Sequence, residues 1–121
     1  MRLYLIKRKA DGAFLRTLDV HYSLHSGQDK TAWSDSPQMM LKTPDGVAGN
    51  LRKLCSTPFY QGEWPHREVG WKDFDSEKLK LFEVVCMDVD VISMTATPAT
   101  EFAQIEAIEN TPLTRSERMA A

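Results

Sequence analysis

Cysteine is scarce in this chain, and long apolar runs are missing altogether. The two cysteines, Cys55 and Cys86, belong to no CxxC or clustered pattern, which excludes the usual spacing of a zinc site or a dithiol redox centre. Free, buried thiols in a reducing compartment are the expectation. No apolar stretch approaches the length of a bilayer span, and the N-terminus carries charge where a signal peptide needs an apolar core, so a cytoplasmic location with no membrane partner follows. Glycine is equally uninformative for phosphate chemistry: Gly46, Gly49, Gly62 and Gly70 fit neither a dinucleotide-binding nor a Walker pattern. There is no G-x-S-x-G elbow and no H-E-x-x-H pair. His21 and His25 stand four apart without a helix signal, and on a strand that spacing holds them too far apart to chelate easily. The expectation is a protein that is not an enzyme and holds no metal and no cofactor.

What is present is the composition of one folded domain: 121 residues, 42% apolar and 26% charged. The net charge of −2 conceals a segregation along the chain. Residues 1–72 carry eleven Lys or Arg against seven acids, residues 73–109 carry two against nine, and the end is nearly balanced. Such a division can give a two-signed surface that orients a partner.

Local patterns divide the chain into elements. In LYLIKRKADGAFLRTL, two short apolar runs flank Asp11-Gly12, a strong hairpin signal because glycine accepts the positive φ of tight turns. Strands are expected at 3–9 and 13–18, with both faces turning basic toward the bend. Residues 19–30 read as a strand end and a loop. Ser36-Pro37 resembles a helix start, one turn ahead of a short strand at 40–42. Thr43 as cap, Pro44 at the first position and Asp45 in the first turn predict a helix over 44–55, with Val47, Leu51, Leu54 and Cys55 on one face. Gly46 and Gly49 weaken it. An aromatic loop is expected between 56 and 76, and a long strand through KLKLFEVVCMDVDVISMT, with Leu79, Leu81, Val85, Met87, Val89 and Val91 on one side and Asp88 and Asp90 on the other. Thr97 as cap and Pro98 at the first position predict a helix over 98–109, with Phe102, Ile105 and Ile108 inward. The fold class is therefore α+β: a small, mainly antiparallel sheet with two helices packed on it. One domain spans 1–110, followed by a flexible tail at 111–121 in which Thr114 and Glu117 have capping-box spacing.

Three surfaces are candidates for function. Lys7, Arg8, Lys9 and Arg16 gather near the hairpin bend, Arg52 and Lys53 extend the footprint, and a two-stranded ribbon fits a nucleic-acid major groove. A pI near 5.9 stands against a dedicated nucleic-acid binder, and charges that protect a sheet edge are the plainer account. Acidic residues, Asp88, Asp90, Glu106 and Glu109 among them, offer an anionic patch that can occupy a nucleic-acid groove on another protein, though the glutamates are equally the polar face of a helix. Asp88 and Asp90 as paired carboxylates for acid–base work or Mg²⁺ are set against the commoner solvated strand face. Trp64 and Trp71, with their aromatic neighbours, either cover a core edge or anchor a partner. Val and Ile on an unpaired strand edge allow a symmetric homodimer.

The segments YLIKRKADGAFL, AWSDSPQMMLKT, GVAGNLRKL and LFEVVCMDV together resemble a loose class of small accessory proteins encoded by tailed bacteriophages and prophages, over residues 3–90. The resemblance carries no catalytic residues. It implies a non-enzymatic protein of the bacterial host cytoplasm that binds and inhibits or redirects a host protein or ribonucleoprotein complex, including anti-defence, anti-CRISPR-like action. The alternative from the residues themselves is a small nucleic-acid-binding regulator that uses the cationic hairpin.

Overall fold

A computed structural model describes residues 1–18, 20–22, 27–29, 31–63 and 68–120. In chain order these form β1 (Arg2–Arg8), β2 (Phe14–Thr17), β3 (Val20–Tyr22), β4 (Gly27–Asp29), β5 (Ala32–Ser34), α1 (Pro44–Leu54), β6 (Thr57–Gln61) and β7 (Glu68–Lys72). A 3₁₀ helix (Ser76–Leu81) then leads into β8 (Phe82–Asp88), β9 (Ser93–Pro98), α2 (Ala99–Phe102), α3 (Ile105–Glu109) and α4 (Arg115–Ala120). The class is α+β: a five-stranded antiparallel sheet ordered β5-β2-β1-β8-β9, with β3–β4 and β6–β7 as separate two-stranded ribbons. Among the described residues no helix is long and apolar enough to cross a membrane.

The N-terminal hairpin forms as the sequence predicts, closed by Arg8 N donating to Ala13 O and Gly12 N donating to Arg8 O, both at 2.8 Å. Gly12 sits at φ 72°, the conformation glycine adopts without steric cost. The hairpin is not a free ribbon. β1 pairs with β8 over seven residues, from Arg2 opposite Asp88 to Arg8 opposite Phe82, and β2 pairs on its other side with β5. Tyr4 exchanges backbone hydrogen bonds of 2.8 Å with Leu41, so the strand expected at 40–42 reduces to one bridge. No helical turn forms at Ser36-Pro37, which runs as bends and irregular chain.

The long strand expected after residue 78 is instead a 3₁₀ helix and a hairpin. Asp75 caps the 3₁₀ helix, its Oδ1 accepting from Glu77 N at 3.0 Å, and the chain reverses at 89–92 between β8 and β9. Alternation through Leu79 and Leu81 mimicked a strand, but Leu79 is fully buried while Leu81 is 55% exposed. The main core gathers Phe82 and Val84 of β8 with Tyr4 and Ile6 of β1, Leu15, Leu79, Val47, Ala48 and Leu51 of α1, and Cys55 at its C-terminal cap. Leu5 and Val85, paired across the ladder, are buried as well, so the central strands read as near-continuous apolar runs rather than alternating ones.

α1 starts as predicted, with Thr43 Oγ1 accepting from Gly46 N at 3.1 Å. Gly49 is buried in it because a Cβ there would stand 3.3 Å from Leu113 Cδ2, so the glycine admits the C-terminal segment. The helix expected over 98–109 breaks at Ala103 and Gln104, both extended. The break lets Phe102 meet Tyr4 edge-on at 5.6 Å between ring centroids, while Ile108 is buried where α3 packs on α1. Pro98, not Thr97, is the cap of α2, and it makes no side-chain cap bond. The aromatic segment over 56–76, expected as a loop, carries the β6–β7 ribbon, with Pro58 opposite Trp71.

Where a flexible tail was expected, α4 is fastened to α1. Thr114 is buried and its Oγ1 accepts from Glu117 N at 3.1 Å. Arg52 donates to Glu117 through Nη1 at 2.5 Å and Nη2 at 3.2 Å, and to Thr111 O at 2.6 Å. Burial pushes the Glu117 carboxyl up, but the bonds from Arg52 and from the Leu113 N–H outweigh it and leave the pKa below 4.5. A depressed carboxylate stabilises above its ordinary pKa and loses that contribution as pH falls through the folded value. Arg52→Ala and Glu117→Gln, made singly, are each expected to lower stability by about 1–3 kcal/mol. Hydrogen exchange over 111–120 should rise in both, and in the wild type as pH falls below 4.5, with the β1–β8 amides staying protected.

Candidate functional site

The ladder between β1 and β8 ends with Arg8 opposite Phe82, and a concave groove of about 800 Å³ opens there. Its walls come from segments distant in sequence. Lys9 N donates to Leu81 O at 2.9 Å, which ties the β1–β2 turn to the end of the 3₁₀ helix. Asp75 N donates to Cys55 O at 2.8 Å, which ties the start of that helix to the end of α1. Lys53, Leu54 and Ser56 from the α1 end, Pro58 and Trp71 from the β6–β7 ribbon, and Trp33 from β5 complete the lining.

Four cations, Arg8, Lys9, Lys53 and Lys80, line this groove, and no carboxylate is among the described lining residues. Two of the cations are held by acids set outside the lining. Arg8 forks onto Asp11 through Nε at 3.0 Å and Nη2 at 2.6 Å, and Lys80 Nζ donates to Glu77 Oε2 at 2.7 Å. The hydrogen bond from Arg8, reinforced by one from Ala13 N, lowers the Asp11 pKa from 3.8 to about 2, so the fork is intact at neutral pH and is lost only as pH falls from 3.8 toward 2. The aromatic walls differ. Trp33 has the Arg8 guanidinium 4.6 Å from its ring centroid and Phe82 parallel to it at 5.8 Å, so it is built into the wall. Trp71, half-buried like Trp33, has Lys53 Nζ 5.8 Å from its centroid and is less tied to the wall than Trp33, which packs against the core. Ser56 Oγ is buried without a hydrogen-bond partner among the described residues.

The cationic footprint read from the sequence is thus divided. Arg8, Lys9 and Lys53 converge on the groove. Lys7, with Nζ 5.9 Å from the Phe14 centroid, and the exposed Arg16 do not line it. Arg52 is turned to Glu117 and Thr111. A ribbon inserted into a major groove does not describe this hairpin, because both of its strands are inside the sheet. Lys80 and Trp33 were missed: Leu79-Lys80-Leu81 reads as strand alternation, and Trp33 stands far from the basic run in sequence. Trp71 does line the groove, and Trp64 lies outside the described residues.

The acidic candidates do not share one element. Asp88 ends β8 and accepts from Asp90 N at 3.0 Å, Asp90 pairs with the N-terminal amine of Met1, and exposed Glu106 and Glu109 belong to α3. Asp88 therefore ends a strand and Asp90 lies in the 89–92 turn, rather than the two sharing the face of one long strand. Among the described residues no group of three or more His, Cys, Asp or Glu is placed to hold a metal ion, and His25 and His66 lie outside them. Both cysteines are free, and burial pushes the Cys55 thiol up to about 12, which leaves it un-ionised at neutral pH.

Comparison with protein families, curated proteins and solved structures finds no match.

An unpartnered buried hydroxyl destabilises a fold, so Ser56→Ala is expected to leave stability unchanged or raise it by up to about 1 kcal/mol. Urea denaturation measures this, and a loss of that size would show that Ser56 Oγ has a partner.

Proposed function

We propose that the chain is a non-enzymatic binding protein that takes nucleic acid in the groove between Trp33 and Trp71. The observation that carries this is the convergence of four cations and two tryptophans on one concavity whose described lining holds no carboxylate. A positive groove with aromatic walls is the chemistry that follows a phosphate backbone and meets bases. The overall charge of −2 does not oppose it, because a ligand responds to the field of the groove, and low-dielectric walls focus that field. Free thiols at Cys55 and Cys86 accord with action in a reducing cytoplasm.

Binding to a fluorescein-labelled oligonucleotide, followed by anisotropy, is expected to weaken log-linearly with salt. A slope of about −2 to −3 corresponds to three or four single-strand phosphate contacts. The combined variant Lys9→Glu, Lys53→Glu and Lys80→Glu should abolish binding at physiological salt with an unchanged circular dichroism spectrum. Wild-type affinity in that variant would remove the groove from the account.

A second function, docking on a host macromolecular complex as the phage-type resemblance implies, has one structural observation in its favour. Ile92 sits at φ 50° and is 92% exposed, beside exposed Val89, Val91 and Met94 at the β8–β9 turn. A β-branched residue in the left-handed region is strained, and an exposed isoleucine gains nothing from burial in the free protein, so the turn suits contact better than stability. Ile92→Asn is expected to raise stability by about 0.5–1 kcal/mol, since asparagine tolerates this conformation. In nuclease-treated bacterial lysate the same variant should lose a host complex that the groove variant still retains. Retention of that complex by Ile92→Asn would exclude the turn as its docking point.

A further inference from the structure

Resting on the nucleic-acid reading, we infer that the groove selects unpaired strands by taking one nucleobase onto the ring of Trp71, with flanking phosphates on Lys9, Lys53 and Lys80.

The two tryptophans are not equivalent. Trp33 lies against the Arg8 guanidinium at 4.6 Å and the parallel Phe82 ring at 5.8 Å, so it shapes the wall. Both rings are half-buried, but Trp33 packs against the hydrophobic core, while the cation near Trp71 is Lys53 Nζ at 5.8 Å on a long flexible side chain. A base stacking on Trp71 displaces that ammonium by a rotamer change, which moves it toward the phosphate of the same nucleotide. One event therefore replaces a cation–π contact with an aromatic stack and a charge-assisted bond.

Shape gives the strand selectivity. A groove of about 800 Å³ is of the size that encloses one small ligand. In a duplex the faces of the bases are covered by the stack, and a protein reaches only their edges by inserting a protruding helix or ribbon. Here the cations surround a hollow, and the hairpin that bears two of them is fixed within the sheet. A duplex can touch the rim lysines but cannot offer a base to Trp71.

The test uses the full chain at fixed salt with three labelled probes of equal phosphate number: an oligothymidine, the same strand with abasic sites throughout, and a duplex. The oligothymidine is expected to bind at least about fivefold more tightly than the other two and to quench tryptophan fluorescence. Trp71→Ala should lower oligothymidine affinity to the abasic level and leave abasic binding within twofold of wild type. Trp71→Leu keeps apolar bulk without a π face, and it should give the same loss if the alanine variant fails to fold. Equal affinity for abasic strand or duplex would overturn base stacking while leaving nucleic-acid binding in place. Absence of binding to all three probes at low salt would overturn both.

Discussion

The seven-residue pairing of β1 with β8 is the constraint on which the rest of this structure hangs. It joins the first strand of the chain to one some eighty residues later, and it buries both faces of the central pair through Ile6 and Val84 on one side and Leu5 and Val85 on the other. Its register decides what stands at each end. Arg8 opposite Phe82 brings the hairpin turn to the end of the 3₁₀ helix, which makes the cationic groove. Arg2 opposite Asp88 brings Met1 to Asp90 and Val89, which braces the β8–β9 turn. A slip of one residue would turn the other face of β8 to the core and move Phe82 away from Arg8 and Trp33. Both candidate surfaces are thus consequences of a single non-local contact.

Such a contact leaves little trace in local pattern, and that accounts for what was and was not legible. Asp11-Gly12 and Thr43-Pro44-Asp45 are chemical signals within a few residues, and both did in the structure what their chemistry demands. The 79–96 segment misled because Leu79, Leu81, Val85 and Met87 alternate like a strand face. The core face of β8 is the other one, with Phe82 and Val84, since β1 supplies its partners. Likewise the threefold spacing of Phe102, Ile105 and Ile108 describes one helix face only if all three share a neighbour. Phe102 goes to Tyr4, Ile108 to the α1 side, and Ile105 remains 36% exposed, so the helix divides. Half of the groove was legible, in Arg8, Lys9, Lys53 and Trp71. The other half, in Trp33, Lys80 and Ser56, depends on ties such as Lys9 to Leu81 and Asp75 to Cys55 that join segments far apart in sequence.

Charge along the chain is likewise a poor guide to charge in space. Residues 73–109 are strongly acidic, yet this stretch supplies Lys80 to the cationic groove. Glu77 and Asp11, which the count sets against those cations, lie outside the lining and hold the Lys80 and Arg8 heads in place. Exposed pairs of this kind contribute little to stability. Their consequence is geometric: they restrict flexible side chains, which would lower the ordering cost for any ligand bound there.

Two features that cost stability lie at the two ends of the same ladder. Ser56 Oγ is unpartnered beside the Arg8 end, and Ile92 is strained and exposed beyond the Asp88 end. Between them the ladder itself has continuous register and fully buried Leu5, Ile6 and Val84. A fold whose stability is concentrated in its central strands can tolerate unfavourable groups at their ends, because opening there does not propagate through the buried ladder. The groove at one end and the β8–β9 turn at the other are therefore both set by the one β1–β8 register.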